Sequence, residues 1–257
     1  MGRTKTSFLL LSCGHGVCAA VMALTLLASI AQAVQPSTNV TISVQSGSDS
    51  GSFTESLPIT SNPFVFSLPA PVNIFSSTNP SDLLGTINTL DLTLNTDPTV
   101  IFNFSVTAGA APANFTLSSG IVSFPPITNP LGFATAALTI TDNGSDGATA
   151  TGLFPGSKAY QAQYNGRSAE FANLVSPVTA APQSSNTGSE RFPAFGSAPL
   201  VPPVNDIESQ FSFSLTATDG ASGTSRFTVT PEPSSITLAL LGALGLAWSI
   251  RRRLLRS

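Results

Sequence analysis

In the stretch Ser209-Gln-Phe-Ser-Phe-Ser-Leu-Thr-Ala-Thr-Asp-Gly220, every second side chain from Phe211 to Leu215 is apolar and those between are serines. A repeat of two belongs to an extended chain with one face buried and one wet, because successive side chains of a strand point to opposite sides. The same alternation recurs along the chain: Val40, Ile42, Val44; Leu90, Leu92, Leu94; and Val100, Phe102, Phe104, Val106. Their partners are mostly Ser, Thr or Asn, and no 3.6-residue apolar period is sustained between residues 34 and 230.

Shorter strand candidates are 63–68, 113–119, 120–124, 133–141, 148–154 and 158–165. Between strands lie residues that turn a chain: Asn95-Thr96-Asp97-Pro98, Asp142-Asn143-Gly144 and Asp146-Gly147. The pattern predicts a hairpin in which 210–218 runs out, Asp219 to Gly223 turns, and 224–229 runs back. Many short strands punctuated this way predict an all-β fold, one antiparallel β-sandwich over 34–230. Residues 176–206 carry six prolines, Pro177, Pro182, Pro193, Pro199, Pro202 and Pro203, and are expected to be a mobile surface loop.

The N-terminal region predicts a secretory signal peptide over 1–33. Arg3 and Lys5 precede an apolar stretch from Val17 to Ile30, and Ala31-Gln32-Ala33 supplies the small residues that signal peptidase requires, with cleavage after Ala33. An uncleaved N-terminal membrane helix is the alternative. The chain's two cysteines, Cys13 and Cys18, and its one histidine, His15, all lie in this region. Residues 34–230 therefore lack the imidazole that Ser-His-Asp or Cys-His catalysis needs, and the ligands of a His/Cys zinc site. Four basic residues there (Lys158, Arg167, Arg191, Arg226) against twelve acidic ones leave a net charge of −8, which argues against nucleic acid and anionic lipid as partners.

No cofactor is expected. The one weak metal candidate is calcium at Asp142 and Asp146 in Asp-Asn-Gly-Ser-Asp-Gly. Gly144 stands at the third position, where a calcium loop needs an oxygen ligand, and Leu153 at the twelfth, so a β-turn explains the stretch as well. Tyr160 and Tyr164 share one face of a strand and could form a glycan platform, or pack structurally on a sheet edge.

The C-terminal region has three parts. Pro231-Glu232-Pro233-Ser234 is held extended by its prolines. Ser234 to Ile250 carries no charge, and its seventeen residues span about 25 Å as a helix, close to one bilayer crossing. Arg251, Arg252, Arg253 and Arg256 orient such a helix with its end in the cytoplasm and the body outside. This constellation resembles the PEP-CTERM sorting signal of Gram-negative bacteria, with Thr230 standing between Val229 and the Pro-Glu-Pro where many members have Val-Pro-Glu-Pro. The resemblance covers about a tenth of the chain. It implies recognition by an exosortase, a membrane cysteine protease, with Glu232 at the centre of the motif, and association with exopolysaccharide and biofilm.

The whole reads as a signal peptide (1–33), a sandwich body (34–230) and a sorting signal (231–257) with a transmembrane helix at 234–250. The expected role is that of a non-enzymatic exported protein. It is held first in the inner membrane, with signal peptidase, an exosortase and the membrane as partners, and then reaches the cell surface or extracellular matrix, with exopolysaccharide as a candidate partner. A carbohydrate-binding module, an extracellular hydrolase using two carboxylates, and an unprocessed single-pass membrane protein are the alternatives.

Overall fold

The computed structural model describes residues 37–232, where every regular element is a strand. In chain order these are β1 (Ser37–Ser46), β2 (Asp49–Pro58), β3 (Phe64–Ser67), β4 (Val72–Phe75), β5 (Leu83–Asn95) and β6 (Thr99–Ala108). There follow β7 (Ala113–Ser118), β8 (Val122–Ile127), β9 (Pro130–Thr141), β10 (Ala148–Gly152), β11 (Tyr160–Tyr164) and β12 (Ala169–Leu174). The last are β13 (Val178–Ala180), β14 (Ser185–Phe192), β15 (Ala198–Pro199), β16 (Val204–Leu215) and β17 (Gly220–Pro231).

They form two antiparallel sheets. The first runs β12-β11-β16-β7-β1-β2, with β8, β10 and β13 attached; the second runs β14-β9-β17-β6-β5-β3, with β4 and β15 attached. The alternation in the sequence explains why the sheets face each other. Val100, Phe102, Phe104 and Val106 of β6 point inward from one sheet, and Phe115 of β7 with Phe211 and Phe213 of β16 from the other. Their rings meet across the gap: Phe104 lies edge-on to Phe211 with centroids 4.9 Å apart and stacks on Phe213 at 6.1 Å, while Phe115 stacks on Phe213 within its own sheet at 5.8 Å. Each buried phenylalanine removes enough apolar surface from water to stabilise the fold by roughly 1.5–3 kcal/mol, before the aromatic geometry adds its smaller share.

The predicted C-terminal hairpin does not form. β16 pairs with β7, β8, β10 and β11 in the first sheet, while β17 pairs with β6 and β9 in the second. The connection at Thr216–Asp219 therefore crosses between sheets. Hairpin strands turn their apolar sides the same way; these two turn them toward each other across the core, and alternation alone does not distinguish the cases. Gly223 added to the misreading. It is not a turn residue but lies inside β17, where a Cβ would come within 2.3 Å of the Phe104 ring.

Residues 176–206 also differ from expectation. Instead of a mobile loop they form an edge. β14 pairs with β9 over eight residues from Ser185 to Phe192, β15 continues along the same side of β9, and β13 caps the first sheet beside β10. The prolines fall between these strands, except Pro199, which sits in the two-residue edge strand β15. Proline has no N–H to give to a sheet ladder, so it is compatible with an edge and not with the middle of a sheet.

Candidate functional site

β17 is a central strand, and it carries the chain directly into the Pro-Glu-Pro stretch. Val229 is its last buried side chain, and its N–H donates to the carbonyl of Pro98 at 2.9 Å. Beyond it Thr230 lies opposite Leu131 and Pro231 opposite Pro130, and the Glu232 N–H donates to the carbonyl of Asn129 at 2.8 Å. Thr230, Pro231 and Glu232 are all exposed. The expected extended motif with an outward Glu232 is thus present as far as Glu232, and it is a continuation of the sheet, not a free linker. Glu232 borders two open depressions. One reaches Leu131, Pro199, Leu200 and Pro202, and the other Pro126, Ile127 and Pro231. Pro233, Ser234, the 234–250 span, Arg251, Arg252, Arg253, Arg256, Ala31 and Ala33 lie outside the described residues. Among those that are described, no helix is long and apolar enough to cross a membrane.

The two tyrosines do not form a platform. Tyr160 and Tyr164 point into the core because they share the inward face of β11 with Ala162. The Tyr160 hydroxyl is within 2.9 Å of Ser209 Oγ, and its ring lies 5.0 Å from that of Phe211; burial pushes its ionisation well above the usual range. The Tyr164 hydroxyl accepts from the Val201 N–H at 3.3 Å. Neither ring is available to stack on a sugar.

Asp142 closes the loop between β9 and β10. Its carboxylate accepts the N–H of Gly144 at 3.1 Å, of Ser145 at 3.0 Å and of Gln183 at 2.5 Å. The Gln183 bond, partly opposed by burial and aided by the other backbone donors, holds this carboxyl below its usual range. Asp146 is exposed. Among the described residues, no three His, Cys, Asp or Glu side chains are grouped to hold a metal ion. The Asp-Asn-Gly-Ser-Asp-Gly stretch serves as a turn, with Asp142 as its acceptor.

Two charged clusters were not legible in the sequence. In the β11–β12 turn, Asn165, Gly166 and Arg167 all have positive φ, and this aims Arg167 back at the buried Glu208 of β16. Arg167 Nε donates to Glu208 Oε2 at 2.5 Å and Nη2 to Oε1 at 2.8 Å, and Ser118 donates to the same carboxylate. The hydrogen bonds to Glu208 raise the Arg167 pKa further. In the second cluster, Lys158 Nζ lies 2.9 Å from Ser176 Oγ and 2.7 Å from Glu190 Oε2. A serine beside a lysine resembles a nucleophile and its base, but Glu190 prevents that role. Burial pushes the Glu190 carboxyl up, yet bonds from Lys158 and Ser176 outweigh it and hold it at about 2. The Ser176 hydroxyl donates to Glu190 Oε1 at 2.7 Å, so its proton is directed at the carboxylate and not at the lysine.

Comparison with known proteins bears on the end of the chain. No curated protein matches the sequence. Among solved structures it is similar to a chain in the structure of the infectious bursal disease virus Gx strain, at 8% identity and a TM-score of 0.27. That match covers 77% of this chain and 62% of the other, so the chain spans less than two thirds of that protein's length. Residues 229–253 match the PEP-CTERM protein-sorting motif. The chain therefore carries a PEP-CTERM sorting motif, which implies exosortase-dependent sorting, export with membrane anchoring, and a final place at the surface or outside the cell.

Proposed function

We propose that the protein is a non-catalytic β-sandwich, held in the inner membrane with its body outside and then cut by an exosortase and left at the cell surface or in the extracellular matrix, where its role is structural or adhesive, with exopolysaccharide as a candidate partner. The observation that carries this reading is the continuity of β17 with the motif: the sheet itself presents Glu232 in extended, exposed form at the end of the body. An extended peptide is what a protease groove accepts. A non-enzymatic role is supported by the Lys158–Glu190 pairing.

The test is intact mass and C-terminal sequencing of the protein from cells with and without exosortase. The expected result is loss of the 234–257 region only where the exosortase is active, and retention of that region in Glu232→Ala. An uncut chain in exosortase-positive cells supports the unprocessed single-pass alternative, and normal processing of Glu232→Ala removes the glutamate from recognition.

A further inference from the structure

We infer that, before it is cut, the sandwich rests on the lipid surface through the β14–β15 edge, with Phe195 and Val201 in the membrane interface. This rests on the reading above that the chain is anchored beyond Glu232. Phe195 is 91% exposed and Val201 71%, the two most exposed large apolar side chains among the described residues. The register places Val201 level with the point where the chain leaves the body. Pro199 lies opposite Leu131, and the Leu200 N–H donates to the carbonyl of Pro130 at 3.0 Å, so Val201 is the next residue outward on one side of Asn129. On the other side, the Glu232 N–H donates to Asn129 itself. Two strand spacings separate them, roughly 10 Å. From Glu232 to Ser234, where the uncharged run begins, is at most about 7 Å of chain. No slack remains to hold this end far from the bilayer.

The edge suits the interface chemically. From Arg191 to Asn205 there is no carboxylate, in a body that carries twelve, so lowering this stretch into headgroups desolvates no anion of its own. Its one charge is engaged: Arg191 donates to the carbonyls of Pro193 at 3.2 Å and Gly196 at 2.9 Å and lies over the Phe133 ring at 5.2 Å. These bonds brace the loop that projects Phe195. Aromatic and aliphatic side chains on a braced loop partition favourably at the headgroup boundary. Contact at both residues tilts the sandwich onto this edge, because the Phe195 loop leaves β9 at Ala134 and returns at Gly132, further from the end than Val201.

The native chain contains one tryptophan, Trp248, inside the uncharged run, which makes the test self-controlled. The full chain, purified from a host without exosortase, is reconstituted in phosphatidylcholine vesicles with or without chain-brominated lipid. Trp248 in the native chain reports anchoring. Phe195→Trp, Val201→Trp and Ala110→Trp, each combined with Trp248→Phe, report three places on the body; Ala110 is exposed beyond the far end of β6. The expected result is blue-shifted emission that brominated lipid quenches at 195 and at 201, with neither effect at 110. Unquenched emission at 195 or 201 while Trp248 is quenched overturns the contact and leaves anchoring intact, as does equal quenching at 110. An unquenched Trp248 overturns the anchoring itself, and the contact with it.

Discussion

The two ends of the sandwich are built differently. At one end the chain passes between sheets at 109–112, 142–147, 181–184 and 216–219, and two buried aspartates, Asp142 and Asp219, tie these crossings together. Asp142 accepts three backbone N–H groups; Asp219 accepts the Asn143 N–H at 3.1 Å and the Thr216 hydroxyl. At the other end prolines and exposed apolar side chains surround Glu232, whose own tie to the sheet is a main-chain bond to Asn129. The first end closes the fold and the second serves what lies beyond it. Side chains with buried polar partners are expected to govern stability, and exposed ones to govern delivery.

The comparison can be tested from its strongest side. Asp219→Ala removes a buried carboxylate and leaves partly buried donors without an acceptor, and is expected to cost about 2–3 kcal/mol in urea unfolding, and Asp142→Ala slightly less. A loss under about 1 kcal/mol for both would erase the distinction between the ends. Next comes Gly223→Ala, which pushes a methyl group into the Phe104 ring and is expected to cost about 1–3 kcal/mol, measured in the same way.

Acid dependence sharpens the contrast further. The carboxyls of Asp142 and Glu190 titrate lower in the folded chain than in the unfolded one, Glu190 at about 2. Their contribution is complete above the unfolded carboxyl range near pH 4–4.5 and is lost as pH falls toward 2. Unfolding followed from pH 6 to pH 2 should show stability decreasing through this window, and Glu190→Gln should flatten part of the slope. The smallest effect is at the other end. Val201→Ser and Phe195→Ser should each change body stability by no more than about 0.5 kcal/mol, since neither side chain is buried.

How far the fold could be read from the sequence depended on where each strand lies. β6 was legible because a central strand facing the core shows clean alternation from Val100 to Val106. β14 was not, because the edge residues Ser185-Asn-Thr-Gly-Ser-Glu-Arg-Phe192 are mostly exposed and polar and carry no period to detect. β2 was hidden for a similar reason, its inward positions including Gly51 as well as Phe53 and Leu57. The pairing of β16 and β17 with opposite sheets was invisible because alternation records which side is buried and not what covers it. In the candidate site, Pro231 and Glu232 stood out by their spacing to the uncharged run and the arginines. Tyr160 and Tyr164 were weighed as a surface feature, although the residue between them on that face, Ala162, continues the core pattern. The ion pair of Arg167 with Glu208, forty-one residues apart, depends on a turn with three consecutive positive φ values, which no local pattern announced.

Among the described residues, Val229 is the last buried side chain and Glu232 the last one bonded to the sheet, which has a consequence for how such a tail could be exchanged between proteins. As far as Glu232, the address shares a strand with the cargo but adds nothing to its core, so the label is portable. Any β-domain whose final central strand stops at the rim of its sheet could receive the same ending without a redesigned interior, and this body could take a different ending after Glu232 on the same terms.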